Sequence, residues 1–236
     1  MTLLPQKLPR IECAEIYYKY VPMMGVGGDF IDILMPGREL HEGGGNAVCF
    51  FMCDVSGHGV SAALTAAMVK MTLSSWEMDA GSPSRLLEKI SGSLEGKTGG
   101  NFITAISCYI DLETGRLVYA NAGHPPLIIV RSDGTIEQVK TKGRLMSDHI
   151  RPNCEDAEMP LHDNDIIVMY TDGIIEERAG GVFYGEERFF GVLQSSRRGT
   201  VEELCSTVYN SVIEFKGNTM FDDDFTILAM RFRSKR

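Results

Sequence analysis

The chain has 236 residues, with 23 basic and 32 acidic side chains and a formal net charge of −9. A nucleic-acid surface needs a basic stripe to displace phosphate counterions, and the only local run is Arg231, Arg233, Lys235 and Arg236, which argues against such a partner. Hydrophobic residues make up 44% and charged residues 23%, a globular composition rather than a disordered one.

No stretch nears the roughly 18 apolar residues that a bilayer span requires. The N-terminus lacks a secretory apolar core, so a cytoplasmic location is expected. With no repeat and no dividing linker, residues 1–236 read as one domain. The cysteines at 13, 49, 53, 108, 154 and 205 contain no CxxC pair and read as reduced core thiols.

In chain order, residues 11–21 form the first strand candidate, rich in β-branched and aromatic residues. The HEGGG run at 41–45 reads as a loop tip before a second strand at 47–54. A helix follows Gly59, with Leu64, Ala67, Met68 and Met71 along one stripe. Another begins at Ser82-Pro83, a cap followed by proline, and buries Leu86, Leu87, Ile90 and Leu94. Residues 92–100 read as a flexible connection. Strands are then expected at 102–111, 116–120, 127–131, 165–171 and 225–232. The turns Leu112-Glu113-Thr114-Gly115 and Ser132-Asp133-Gly134 favour antiparallel pairing. A helix over 200–215 opens with a Thr200/Glu203 capping box and aligns Val201, Leu204, Cys205, Val208, Val212 and Phe215. The order suggests an α+β layered domain.

The informative acids end predicted strands: Asp29 in GVGGDFID, Asp54 in FFMCDVSGHG, Asp172 in VMYTDGI and Asp223 in FDDDFTIL. Each motif alone has a plain reading. TDG is usually a turn, DDDF a solvated turn, GGD a bulge, and DVSGHG a helix start capped by Ser56. Four buried strand-end carboxylates without matching Arg or Lys nearby are costly unless a cation compensates them. All-oxygen ligands favour Mg²⁺ or Mn²⁺ over zinc. Other chemistries are excluded by their missing strings. There is no GxxxxGK[ST] phosphate loop, no CX₅R, and no glycine two positions before Ser56 to complete an esterase elbow. GGDF continues with Ile31 rather than the Glu-Phe pattern of diguanylate cyclases.

The ordered series GVGGDFIDI (25–33), DVSGHGVSAAL (54–64), FITAISCYIDLETGRLVYANAGHPPLII (102–129), DIIVMYTDGIIEER (165–178), FYGEERF (183–189) and DDDFTILAMRF (222–232) resembles the PPM, or protein phosphatase 2C-like, metal-dependent serine/threonine phosphatases, in their bacterial SpoIIE/RsbU-type branch. The resemblance implies a four-layer α-β-β-α sandwich with two mostly antiparallel sheets. It implies two Mn²⁺ or Mg²⁺ ions. Asp54 would bridge them, Asp29 and the Val55 carbonyl would complete one, and Asp172 with Asp223 would hold the other. Asp224 would support Asp223, and Asp32 would at most stand behind the ligands. A hydroxide bridging the ions would attack phosphorus in line. His58 is the tempting general acid, but its offset from Asp54 favours a structural or helix-N-terminal role. His124, in AGHPP, is expected to be a buried, hydrogen-bonded histidine. KGRLMSDHI departs from the family's Gly-x-Pro-Leu-Gly stretch between 141 and 150.

The resemblance further implies a phosphoserine or phosphothreonine substrate on a STAS-domain anti-anti-sigma factor. It implies a possible homodimer, and a junction at residues 1–10 from an N-terminal sensory module. The competing reading is a phosphatase-like regulatory or protein-binding module, which predicts the loss of one or more carboxylates.

Overall fold

Strands buried on both faces read as continuous apolar runs rather than alternating ones, and several strands of this chain are of that kind. The computed structural model describes residues 4–36, 46–74 and 81–234. The glycine run at 41–45 lies outside them. The elements are β1 (Ala14–Val21), β2 (Phe30–Leu34), β3 (Ala47–Val55), α1 (Val60–Ser74), α2 (Pro83–Leu94), β4 (Ile103–Asp111), β5 (Arg116–Ala122), β6 (Leu127–Val130), β7 (Ile136–Val139), β8 (Ala157–Pro160), β9 (Ile166–Tyr170), β10 (Arg178–Ala179), β11 (Val182–Phe183), α3 (Gly185–Ser196), α4 (Val201–Lys216) and β12 (Phe225–Phe232).

Two five-stranded sheets result, ordered β1-β12-β9-β6-β7 and β2-β3-β4-β5-β8, with β10-β11 as a separate small hairpin. Every strand pair is antiparallel. The period of two divides each central strand between two cores. In β3, Val48, Phe50 and Met52 face the space between the sheets, while Phe51, Cys53 and Val55 face α1 and α2. In β12, Leu228, Met230 and Phe232 point between the sheets, and Phe225, Ile227 and Ala229 point toward α3 and α4. Three cores thus fill the three gaps of an α-β-β-α sandwich, the expected architecture. Each fully buried Phe or Leu contributes about 1.5–3 kcal/mol relative to exposure.

Local chemistry sets the helix ends. Thr200 Oγ1 accepts the Glu203 N–H at 3.1 Å, and Glu203 Oε2 accepts the Thr200 N–H at 2.8 Å, completing the capping box of α4. Ser82 precedes α2 but does not cap it. Asp156 does so, accepting the Ser84 N–H at 2.7 Å while Ser82 donates to its other oxygen. The connection expected at 92–100 begins inside α2, and its Thr98 is buried with its N–H on Asp148.

The expected stripe of α1 is corrected. Ala62, Thr65, Ala66, Val69 and Leu73 are buried, whereas Leu64 and Met71 are exposed at 62% and 73%. This helix is apolar nearly all round, so periodicity alone cannot choose a face. The small Ala62 and Ala66 lie on the buried side, where they let the helix approach the sheet closely. All six cysteines are free thiols, five buried and Cys154 partly exposed. Among the described residues, no helix is long and apolar enough to cross a membrane.

Candidate metal centre

The four strand-end aspartates converge from both sheets. Asp29 precedes β2 and Asp54 lies near the end of β3, while Asp172 follows β9 and Asp223 precedes β12. Asp29 makes the crossing between sheets explicit. Its buried carboxylate accepts hydrogen bonds from Thr171 Oγ1 at 2.8 Å and from Thr226 Oγ1, both on the opposite sheet's side. Asp29 and Asp54 are close enough for each carboxyl to influence the other's proton affinity.

The glycines of the motifs are explained by close approach. A Cβ on Gly27 would sit 1.8 Å from Asp224 Oδ2, and one on Gly28 2.4 Å from the Val55 carbonyl oxygen. On Gly173 it would meet the Asp224 carbonyl at 2.1 Å. The GGD and TDG strings therefore let three loops meet at one point, beyond ordinary turn chemistry. Asp224 holds that meeting in place. It is buried, and its carboxylate accepts the Met23 N–H at 2.8 Å and the Asp29 N–H at 3.3 Å.

The electrostatics follow from crowding carboxylates. Burial, then Asp172, Asp223 and Asp224, push Asp54 up to about 7 from its ordinary 3.8. Asp29 is raised well above the usual range by burial and by Asp54, against the lowering effect of the Thr226 and Thr171 hydroxyls. Asp172 is raised by burial and Glu176, and Asp223 chiefly by burial. Among the described residues, no Lys or Arg is a principal influence on these four carboxyls. Missing positive charge amid oxygen donors fits a hard divalent cation.

The side chains are not yet gathered around an ion. Among the described residues, no three acidic, histidine or cysteine groups stand close enough to hold one as they are. The reason is visible in their partners. Asp29 is turned to its two threonines, and the exposed Asp223 folds back to accept the Asp224 N–H at 2.8 Å.

The remaining candidates from the sequence separate clearly from this cluster. Asp32 forms a 2.7 Å ion pair with Lys70 of α1 and so secures the helix to β2. Ser56 does not cap α1. Its hydroxyl accepts the Phe102 N–H at 2.9 Å, joining the Asp54 loop to the start of β4. His58 is exposed in the turn before α1, between Gly57 and Gly59 at φ 87 and 74. His124 is buried, as expected. Its Nδ1 pairs with Thr104 Oγ1 at 2.9 Å, its buried Nε2 has no hydrogen-bond partner among the described residues, and burial pushes it down to about 3. Asn121 clamps that turn, accepting the His124 N–H and donating to the His124 carbonyl. Sequence reasoning missed Thr171 and Thr226, although each is the threonine of a TDG or DDFT string.

With this geometry in hand, residues 44–233 match the family described as Stage II sporulation protein E. The chain belongs to the SpoIIE family. Within that family the chain is similar to the PPM-type phosphatases of the RsbU branch. It is 24% identical to the phosphoserine phosphatase RsbU of Bacillus subtilis over 232 residues, 98% of this chain and 67% of RsbU. A structure of RsbU and RsbW domains from Mycobacterium tuberculosis superposes with a TM-score of 0.81 at 25% identity, covering 95% of this chain and 61% of that one. RsbX, solved with magnesium, shares the fold at TM-score 0.70 and 15% identity, covering 96% and 98% of the two chains. The SpoIIE domain thus spans less than two thirds of the Mycobacterium chain it resembles.

Proposed function

We propose that the SpoIIE domain hydrolyses a phosphoserine or phosphothreonine monoester on a STAS-domain anti-anti-sigma factor in a partner-switching pathway. Two Mn²⁺ or Mg²⁺ ions would be held by Asp29, Asp54, the Val55 carbonyl, Asp172 and Asp223. The observation that carries the reading is the crowding of Asp54 among Asp29, Asp172, Asp223 and Asp224, with no cationic side chain among its principal influences. The name of RsbU, a phosphoserine phosphatase, supports the substrate class, and the magnesium of RsbX supports the ion class.

The chain's own residues assemble and orient the centre. Thr171 and Thr226 aim Asp29, Asp224 fixes the loop carrying it, and Gly27, Gly28 and Gly173 admit the close approach. The concentrated carboxylates repel a phosphate ester when alone, so the protein's contribution depends on cation loading. Divalent ions bound there supply charge that acidifies water and neutralises the phosphoryl oxygens.

Phosphate release from a phosphoprotein or p-nitrophenyl phosphate, with Mn²⁺, Mg²⁺ or chelator, tests the reading. Asp54→Asn and chelator should each abolish turnover; activity surviving either overturns it. A dimerising partner is expected to raise the activity of the isolated chain, and equal turnover as monomer and dimer would refute that part.

A further inference from the structure

Resting on the proposal that Asp172 and Asp223 hold one ion, we propose that Glu177 and Lys216 form a buried clamp setting the separation of those two ligands. The ligands leave neighbouring antiparallel strands, β9 and β12, at the point where their ladder stops. The Thr171 N–H donates to the Thr226 carbonyl at 3.1 Å, and beyond it the strands separate into a turn and a loop. Beyond that rung the segments are joined near the strand ends by the Thr171 hydroxyl, which donates to the Asp224 carbonyl at 3.4 Å, and by the close approach of Gly173 to that carbonyl, but by no further ladder bond.

Glu177 adds a second tie, farther along both segments and on the other side of the two ligands. One of its oxygens accepts the Asp222 N–H at 2.5 Å, next to Asp223, and the other accepts Lys216 Nζ at 2.5 Å. Lys216 also reaches Asp222 Oδ1 at 3.0 Å. The Glu177 and Lys216 side chains are only 1% and 7% exposed. At the other end of the turn, the Glu176 N–H donates to the Asp172 carbonyl at 2.8 Å, and the Tyr184 N–H donates to the Glu177 carbonyl at 2.8 Å. The chain between Asp172 and Glu177 is therefore short and internally bonded. Lys216 is the last residue of α4, where a cation also meets the helix's negative end.

The candidate ligands are thus bracketed, by the threonine rung on the strand side and by the Glu177–Asp222–Lys216 contacts on the loop side. A buried ion pair contributes little net stability, because desolvating both charges offsets their attraction. The contribution of this pair is placement. Groups that hold metal ligands in this way typically change affinity by about 10–100-fold when removed.

The test is calorimetric titration with Mn²⁺ of the parent, Asp54→Asn, and the double variant Glu177→Met/Lys216→Met. The double change leaves net charge unaltered, so an affinity loss reports position rather than charge. We expect Mn²⁺ binding at least about tenfold weaker in the double variant. The Mn²⁺ concentration for half-maximal phosphate release should rise equally, without a matching loss of thermal stability. Parent-like affinity in the double variant, with affinity lost in Asp54→Asn, overturns the clamp alone. Equal Mn²⁺ binding by parent and Asp54→Asn overturns the underlying centre as well. If the double variant does not fold, Glu177→Gln is judged by the same titration. It keeps an acceptor for the Asp222 N–H but removes one negative charge and leaves Lys216 paired with the Asp222 carboxylate alone.

Discussion

Asp54→Asn should stabilise the metal-free protein at alkaline pH while destroying its activity. The folded protein holds the Asp54 carboxyl at about 7 against an ordinary 3.8, so it favours the protonated, neutral form. A group raised in this way contributes its stability below pH 3.8 and loses it as pH climbs through about 7. At about 1.36 kcal/mol per tenfold change in proton affinity, the full loss is about 4 kcal/mol. Asp29 and Asp54 share the strain and solvent reaches part of the site, so about 2 kcal/mol is expected to be recovered by a neutral amide. For a chain of this size that is about 4–8 °C in Tm.

The assay is thermal unfolding in chelator from pH 4 to pH 8.5. Parent and variant should melt together at pH 4 and diverge above it, with the variant more stable. Excess Mn²⁺ should reverse the ranking, since ligand at about 100 times Kd adds about 2.7 kcal/mol to whichever protein binds it. A gap that does not vary with pH, or a parent that is the more stable in chelator at pH 8.5, would refute the reasoning.

Thr171→Val removes a donor to Asp29 and should weaken Mn²⁺ binding by about tenfold in calorimetry. Gly28→Ala places a Cβ 2.4 Å from the Val55 carbonyl oxygen; a cost of about 1–3 kcal/mol in urea unfolding is expected, with reduced metal-dependent phosphate release. Thr200→Ala breaks the α4 capping box far from the centre and should cost about 1 kcal/mol in the same unfolding assay, leaving kcat unchanged.

The layered fold is readable where residues leave no choice. The apolar runs of β3, β4 and β12 can only be strands buried on both faces, and Thr200 with Glu203 can only open a helix. It is less readable at the margins. The short strands β7 and β8, IEQV and AEMP, lie at sheet edges and carry too few apolar residues to announce themselves. The buried face of α1 is unreadable because its composition is nearly uniform around the axis. At the centre, the four aspartates stand out as acids ending apolar strands. The work of Asp224, Glu177 and the two threonines does not, because each acts across 39 to 201 residues of chain separation.

The pairing of the first strand with the last has a consequence for how the molecule comes into being. Ala14 lies opposite Phe232 and Val21 opposite Phe225, and β12 then joins β1 to β9. During synthesis, β1 must wait as an open edge until almost the whole domain has been made, and non-local pairing of this kind is slow. Asp223 and Thr226 arrive with that same closing strand. The proposed centre is therefore completed only after every other strand of the domain has been translated, so a nascent chain, or one cut before Asp223, lacks the parts to bind ions however well the other sheet has formed.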